Sequence, residues 1–208
     1  MWATVRDECD SLHRQTVHYV TCATIYADCA STVHAAVRDH ETRALHETLA
    51  AIERYRVTDS QWVPTHFVRM LGLPEEERNR YDLSSHKRAI HAAAPCPVPI
   101  KRAMIEWWGP IIQEYYSGSE MIGMSLVKSE EWLAKPGTVG RMIYGKAHVC
   151  GPDGEELAPG ETGLLFFETE NLPSYHRDPA KTAEAMHPRG WMTLGDIGHV
   201  DEDGFLFL

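Results

Sequence analysis

Leu45, Leu49 and Ile52 recur at spacings of four and three, which puts them on one stripe of a helix, and residues 41–49 are good helix formers. Upstream, residues 16–32 are rich in Thr, Cys and Ala with no clean period, so no element is assigned there. From residue 57 the pattern changes. Residues 57–63 read as a short strand, and Pro64 opens a helix through residue 71, proline being tolerated in a first turn. Residues 74–81 suggest another short helix, and 88–93 an apolar strand running into Pro95-Cys96-Pro97-Val98-Pro99. A helix over 100–108 and a strand over 111–116 follow. Strand, helix, strand in units of about 25 residues predicts a parallel α/β layer. Beyond Pro136 the pattern turns to short strands, over 139–143, 147–150 and 164–168, split by Gly151-Pro152-Asp153-Gly154 and Pro159-Gly160. A helix over 179–186 interrupts, strand resumes at Gly190-Trp191, and Asp201-Glu202-Asp203-Gly204 turns the chain before 205–208. The expectation is an α/β chain in three parts. Residues 1–47 are helical or poorly ordered, 48–135 form an α/β part, and 136–208 form a small β-rich, barrel-like subdomain that stops in mid-strand.

Composition sharpens the first boundary. All 15 glycines and 12 prolines lie beyond residue 60, so the N-terminal stretch has no turn punctuation and is helix or nothing stable. A net charge of −10 repels phosphate backbones and anionic lipid, which argues against nucleic-acid or membrane-surface binding. No apolar run approaches the roughly 20 residues of a transmembrane helix, and Met1-Trp2-Ala3 with Asp7 and Glu8 does not open a signal peptide. Five cysteines, an odd count at irregular spacing, point away from a disulfide framework and towards a reduced, cytoplasmic protein.

Four features carry candidate chemistry. Gly118 and Gly123 have the spacing of a phosphate loop, but the lysine that would reach the phosphates is missing. Cys9, His13, His18 and Cys22 are zinc-compatible types at helical spacing without a flanking knuckle, and carry no metal assignment. Glu120 follows the polar turn after the 111–116 strand, where α/β sheets place ligands; the plain alternative is a solvated loop acid. Asp196 sits between Gly195 and Gly198, beside a strand, where a carboxylate could accept two ribose hydroxyls. Its plain alternative is a turn aspartate bonding local backbone.

In order along the chain, Val63-Pro64-Thr65-His66-Phe67, Ala92-Ala93-Ala94-Pro95, Tyr115-Tyr116-Ser117-Gly118-Ser119-Glu120 and Gly190-Trp191 through Gly198 resemble the adenylate-forming superfamily, specifically its AMP-forming fatty-acyl-CoA synthetases. Lys135-Pro136-Gly137-Thr138-Val139-Gly140, Gly160-Glu161-Thr162-Gly163 and Tyr175-His176-Arg177-Asp178-Pro179-Ala180-Lys181-Thr182 match its connecting segments. The resemblance covers about residues 48–208, and residues 1–47 are expected to match no family. It implies ATP, Mg²⁺ and coenzyme A as cofactor and co-substrates, and a carboxylic or fatty acid as substrate. By position, Ala93, Ala94 and Pro95 correspond to the loop along the adenine, Tyr116, with Tyr115 beside it, to the aromatic stacked on it, and Asp196 to the ribose acid. Ser119 stands for the family's threonine, donating to phosphate or adenylate oxygens, and Glu120 for its Mg²⁺ ligand; these two are the implied catalytic residues. His91, Ser117 and Gly118 would line the acyl pocket.

The departures also matter. The family often has Gly-Tyr-Gly where this chain has Tyr115-Tyr116-Ser117, so the site is bulkier here. The glycine-rich phosphate loop, the hinge after the last strand and the lysine-bearing lid have no counterpart in the 208 residues. The expectation is a fragment of an adenylation domain, inactive alone, with an exposed core that favours self-association. The alternatives are a non-catalytic nucleotide-binding remnant, an interaction module, or an enzyme adenylating a different acid.

Overall fold

The computed structural model describes the backbone of residues 34–208 and the side chains from residue 42 onward; the Cys9, His13, His18, Cys22 set lies outside the described residues. The chain divides into two compact units between Ile90 and His91.

In the first unit, α1 (His34–Tyr55) buries Leu45, Leu49 and Ile52, the stripe read from the spacing. No glycine marks its end. Arg56 takes the left-handed conformation instead (φ 52°), the Val57 N–H donates back to Ile52 O at 3.1 Å, and the Arg56 guanidinium is held by Asp82 at 2.7 Å. In β1 (Asp59–Trp62) Ser60 and Trp62 alternate inward. Helix α2 (Pro64–Leu71) buries His66, Phe67 and Met70, and its His66 Nδ1 accepts the Val63 N–H at 3.3 Å, satisfying a donor at the helix entrance. The short α3 (Glu75–Arg78) is tied to α1 through His46, whose ring nitrogens lie 2.8 Å from Tyr81 Oη and 3.0 Å from Glu77 Oε2. Strand β2 (Arg88–His91) lies beside β1.

The second unit opens with α4 (Val98–Trp108), whose buried stripe is Lys101, Met104, Ile105 and Trp108. Seven strands then form one sheet: β3 (Ile112–Ser117), β4 (Met124–Lys128), β5 (Thr138–Tyr144), β6 (Lys146–Cys150), β7 (Gly163–Glu168), β8 (Met192–Val200) and β9 (Leu206–Phe207). Their spatial order is β3-β4-β5-β9-β8-β7-β6, with antiparallel neighbours throughout. Helix α5 (Ser129–Ala134) follows β4, and α6 (Pro179–Glu184) precedes β8. Ile122, Val139, Val149, Leu165, Phe167, Met192 and Leu206 make one apolar core. Gly140 is required where β4 and β5 meet: its φ is +101°, and a Cβ there would sit 2.1 Å from Leu126 O.

The α/β class with a β-rich second part is the architecture observed. Strand β4 and helix α5 fall where the sequence pattern assigns nothing. The reason is a misleading phase. Ser125 and Val127 are the buried positions of β4, and the Ser125 hydroxyl donates to Val139 O at 2.8 Å, so a polar residue points into the core.

Candidate functional site

A cleft of about 360 Å³ opens in the second unit. One wall is the loop Ala93, Ala94, Pro95, which follows β2. Ala93 holds a left-handed backbone (φ 72°) that side chains rarely adopt. The C-terminal half of β3 contributes Tyr115, Tyr116 and Ser117, and the exposed stretch of β8 contributes Asp196 and Ile197. Trp132 of α5, Gly137, Val139 and Leu208 complete the apolar side.

Across the mouth, the Tyr116 hydroxyl donates to Asp196 Oδ2 at 2.6 Å, joining β3 to β8. Burial pushes the Tyr116 phenol well above its ordinary range, and the Asp196 carboxylate pushes it further, so it stays a donor. Its ring packs on Phe167, centroids 6.1 Å apart.

Deeper, Glu114 lines the cleft and is paired with Lys101 Nζ at 2.5 Å. Burial lowers the lysine's pKa and raises the glutamate's, and each partner opposes the other's shift. His91 is fully buried, 3.7 Å from Glu114 Oε2, and burial and then Lys101 lower its pKa to about 3, so it is a neutral ring. Cys96 also faces the cleft, but burial and then Glu114 push its thiol up to about 12, which makes it a poor nucleophile.

Of the residues singled out in the sequence, Ala93, Ala94, Pro95, Tyr115, Tyr116, Ser117 and Asp196 line this one cleft. His91, Gly118, Ser119 and Glu120 do not. Ser119 is exposed, and Glu120 accepts from the Tyr175 hydroxyl at 3.2 Å. Gly118 is tightly covered, since a Cβ there would lie 2.7 Å from Leu194 and 2.9 Å from Glu120 Oε2. Ser117 donates to Gly123 O at 2.8 Å, holding the turn closed. Sequence reasoning missed Glu114, Lys101 and Tyr175. For the first two a signal exists: Lys101 stands on the apolar stripe of α4 and Glu114 on the buried phase of β3, so each implies a partner.

The AMP-binding enzyme family matches residues 16–174. The chain belongs to that family. The match starts upstream of residue 48, so most of the 1–47 segment, expected to match no family, falls within it. A probable CoA ligase of Humulus lupulus is 29% identical over 171 residues, covering 79% of this chain and 31% of that protein. A long-chain-fatty-acid–CoA ligase of Bacillus subtilis is 29% identical over 170 residues, 78% of this chain and 29% of its own length. This member of the AMP-binding family thus spans about a third of the length of the curated relatives it matches. Among solved structures, an amide bond synthetase of Marinactinospora thermotolerans superimposes with TM-score 0.69 at 28% identity, over 79% of this chain and 34% of that one. The o-succinylbenzoate coenzyme A synthetase of Bacillus subtilis, solved with AMP, gives TM-score 0.66 at 25% identity, over 78% and 33%. The fold is that of part of an adenylate-forming enzyme.

Proposed function

We propose that this chain forms the adenylate-binding part of an AMP-forming acyl-CoA ligase. In that reaction a carboxylate oxygen attacks the α-phosphorus of ATP, the bond to pyrophosphate breaks, and an acyl-adenylate forms. The coenzyme A thiol then attacks the acyl carbon, AMP leaves with the bonding pair, and the thiol proton passes to solvent. The observation that carries the reading is the convergence of the 93–95 loop, the Tyr116 ring and Asp196 on one cleft of about 360 Å³, from three separate elements. A base can lie along the loop against Tyr116 while Asp196 accepts ribose hydroxyls.

We assign Ser119 to phosphate or adenylate oxygens and Glu120 to Mg²⁺, which would screen the phosphates. The arrangement fits a modest share in such a site. Tyr175 occupies Glu120 Oε1, and among the described residues no three His, Cys, Asp or Glu side chains converge on a metal position. The chain would supply one carboxylate to an ion held mainly by phosphate and water oxygens. Trp132, Val139, Ile197 and Leu208 give the cleft an apolar side, which supports a fatty acid as substrate. On the acyl-pocket side of the same assignment Ser117 lines the cleft, whereas His91 and Gly118 do not and would act only from behind its wall. The odd cysteines favour a reducing compartment, the cytoplasm. No helix among the described residues is long and apolar enough to cross a membrane.

The 208 residues by themselves are expected to bind adenylate without making it. The cleft lining carries Glu114 and Asp196 and, among the described residues, no cationic side chain. Lys101 is fully buried and committed to Glu114. Among the described residues, negative charge developing on the α-phosphate would therefore meet no preorganised donor of positive charge, a loss that typically costs about 10²–10³ in rate for one group. Calorimetry with AMP and pyrophosphate exchange into ATP with a panel of fatty and aryl acids test both halves. Binding of AMP without acid-dependent exchange is expected. Failure to bind AMP would refute the adenylate site, and exchange above that of an Asp196→Ala, Glu120→Ala variant would refute the inactivity.

A further inference from the structure

The two ends of the Tyr116–Asp196 hydrogen bond are held very differently. Tyr116 sits within β3, paired opposite Ser125 of β4, with its ring against Phe167 of the apolar core. Asp196 is exposed, and so is its neighbour Ile197, at 64%. It follows Gly195, whose φ is +88° and around which nothing lies within 4 Å of a Cβ position. The backbone there is open on the side a wall would occupy. Packing fixes the tyrosine; it does not fix the acid.

Resting on the adenylate reading of the cleft, we propose that Tyr116 is the positioning residue for Asp196. The side chain whose ring faces the base thereby also sets the carboxylate that receives the ribose. A carboxylate offers about four acceptor directions on two oxygens. Tyr116 takes one on Oδ2 at 2.6 Å, which leaves room for the two donors of a vicinal diol. With the hydroxyl in place, the rotamer of an exposed aspartate is chosen before the ligand arrives. Without it, the ligand must order that side chain, and binding weakens accordingly. Because the bond spans 80 residues of sequence, it also links the position of β8 at the cleft to that of β3. Any contribution of the ring to binding the base is separable, since phenylalanine keeps the ring and removes only the hydroxyl.

The test compares AMP with 2′,3′-dideoxyadenosine monophosphate, which lacks both ribose hydroxyls, by calorimetry on the full chain. The wild type is expected to prefer AMP. Tyr116→Phe should shrink that preference about three- to tenfold, while its affinity for the dideoxy nucleotide stays within about twofold of wild type. Asp196→Ala should abolish the preference, and adding Tyr116→Phe to it should change the ratio no further. A matched thermal melt of Tyr116→Phe separates loss of fold from loss of the hydroxyl. An unchanged ratio in Tyr116→Phe overturns the inference, as does an equal weakening of both nucleotides, which would confine Tyr116 to contact with the base. Wild-type protein that binds neither nucleotide refutes the adenylate reading itself, an outcome distinct from either.

Discussion

Lys101 of α4 and Glu114 of β3 form an ion pair at 2.5 Å, with Lys101 wholly excluded from solvent and the Glu114 side chain 7% exposed. Beneath the cleft, the pair joins a helix to the strand that presents Tyr116, and the Lys101 amine also lies 4.9 Å over the ring of Trp132 in α5. Two charges buried this deeply satisfy one another at a desolvation cost, so their value is in what happens when one is removed.

Lys101→Met should destabilise the chain by about 3–5 kcal/mol, because Glu114 is left buried without its counter-charge. The double variant Lys101→Met, Glu114→Leu should recover most of that loss. Urea denaturation of the two single variants and the double closes the cycle. Losses that simply add would mean the two side chains are not coupled.

Ala93 holds a φ of 72°, a region that costs a residue with a Cβ roughly 1–2 kcal/mol. Glycine removes that strain but is freer in the unfolded chain by about 0.5–1 kcal/mol. Ala93→Gly should therefore leave stability unchanged or raise it by up to about 1.5 kcal/mol, read as a melting temperature that does not fall. A clear decrease would mean that the backbone of the 93–95 loop is unstrained.

Stability should fall as the solution is acidified, and His86 should account for part of the slope. Burial lowers the His86 pKa to about 4, against an ordinary value of 6.5, and its Nε2 lies 2.6 Å from Ser60 Oγ. A depressed folded-state pKa means the unfolded chain takes the proton first. The contribution is fully present above about pH 6.5 and is lost as the pH drops through 4, to a maximum of about 3 kcal/mol. His86→Gln should show a flatter dependence between those limits in denaturation at stepped pH. Parallel curves for the two proteins would exclude His86 as a source.

Local pattern carried much of the fold. The stripe of Leu45, Leu49 and Ile52 marks α1, Pro64 starts α2 where the first-turn rule puts it, and the Gly/Pro turns bracket β6 and β7 within a residue or two. These features are decided by neighbours a few positions away, through helical period, turn chemistry and alternation, so they are written in one dimension. The site motifs were legible in the same sense: Ala93 to Pro95, Tyr115 to Ser117 and Asp196 could each be singled out, though not their meeting. Tertiary structure decided what depends on partners far along the chain. Ser125 points inward because Val139 O is there to receive its hydroxyl. Lys101 and Glu114 can be buried because packing α4 on β3 brings opposite charges to hydrogen-bond distance. Asp196 can be aimed because sheet order carries β8 to where Tyr116 reaches it. The cost of burying a polar group is set by the partner it meets, and which partner that is follows from register and packing across the sheet.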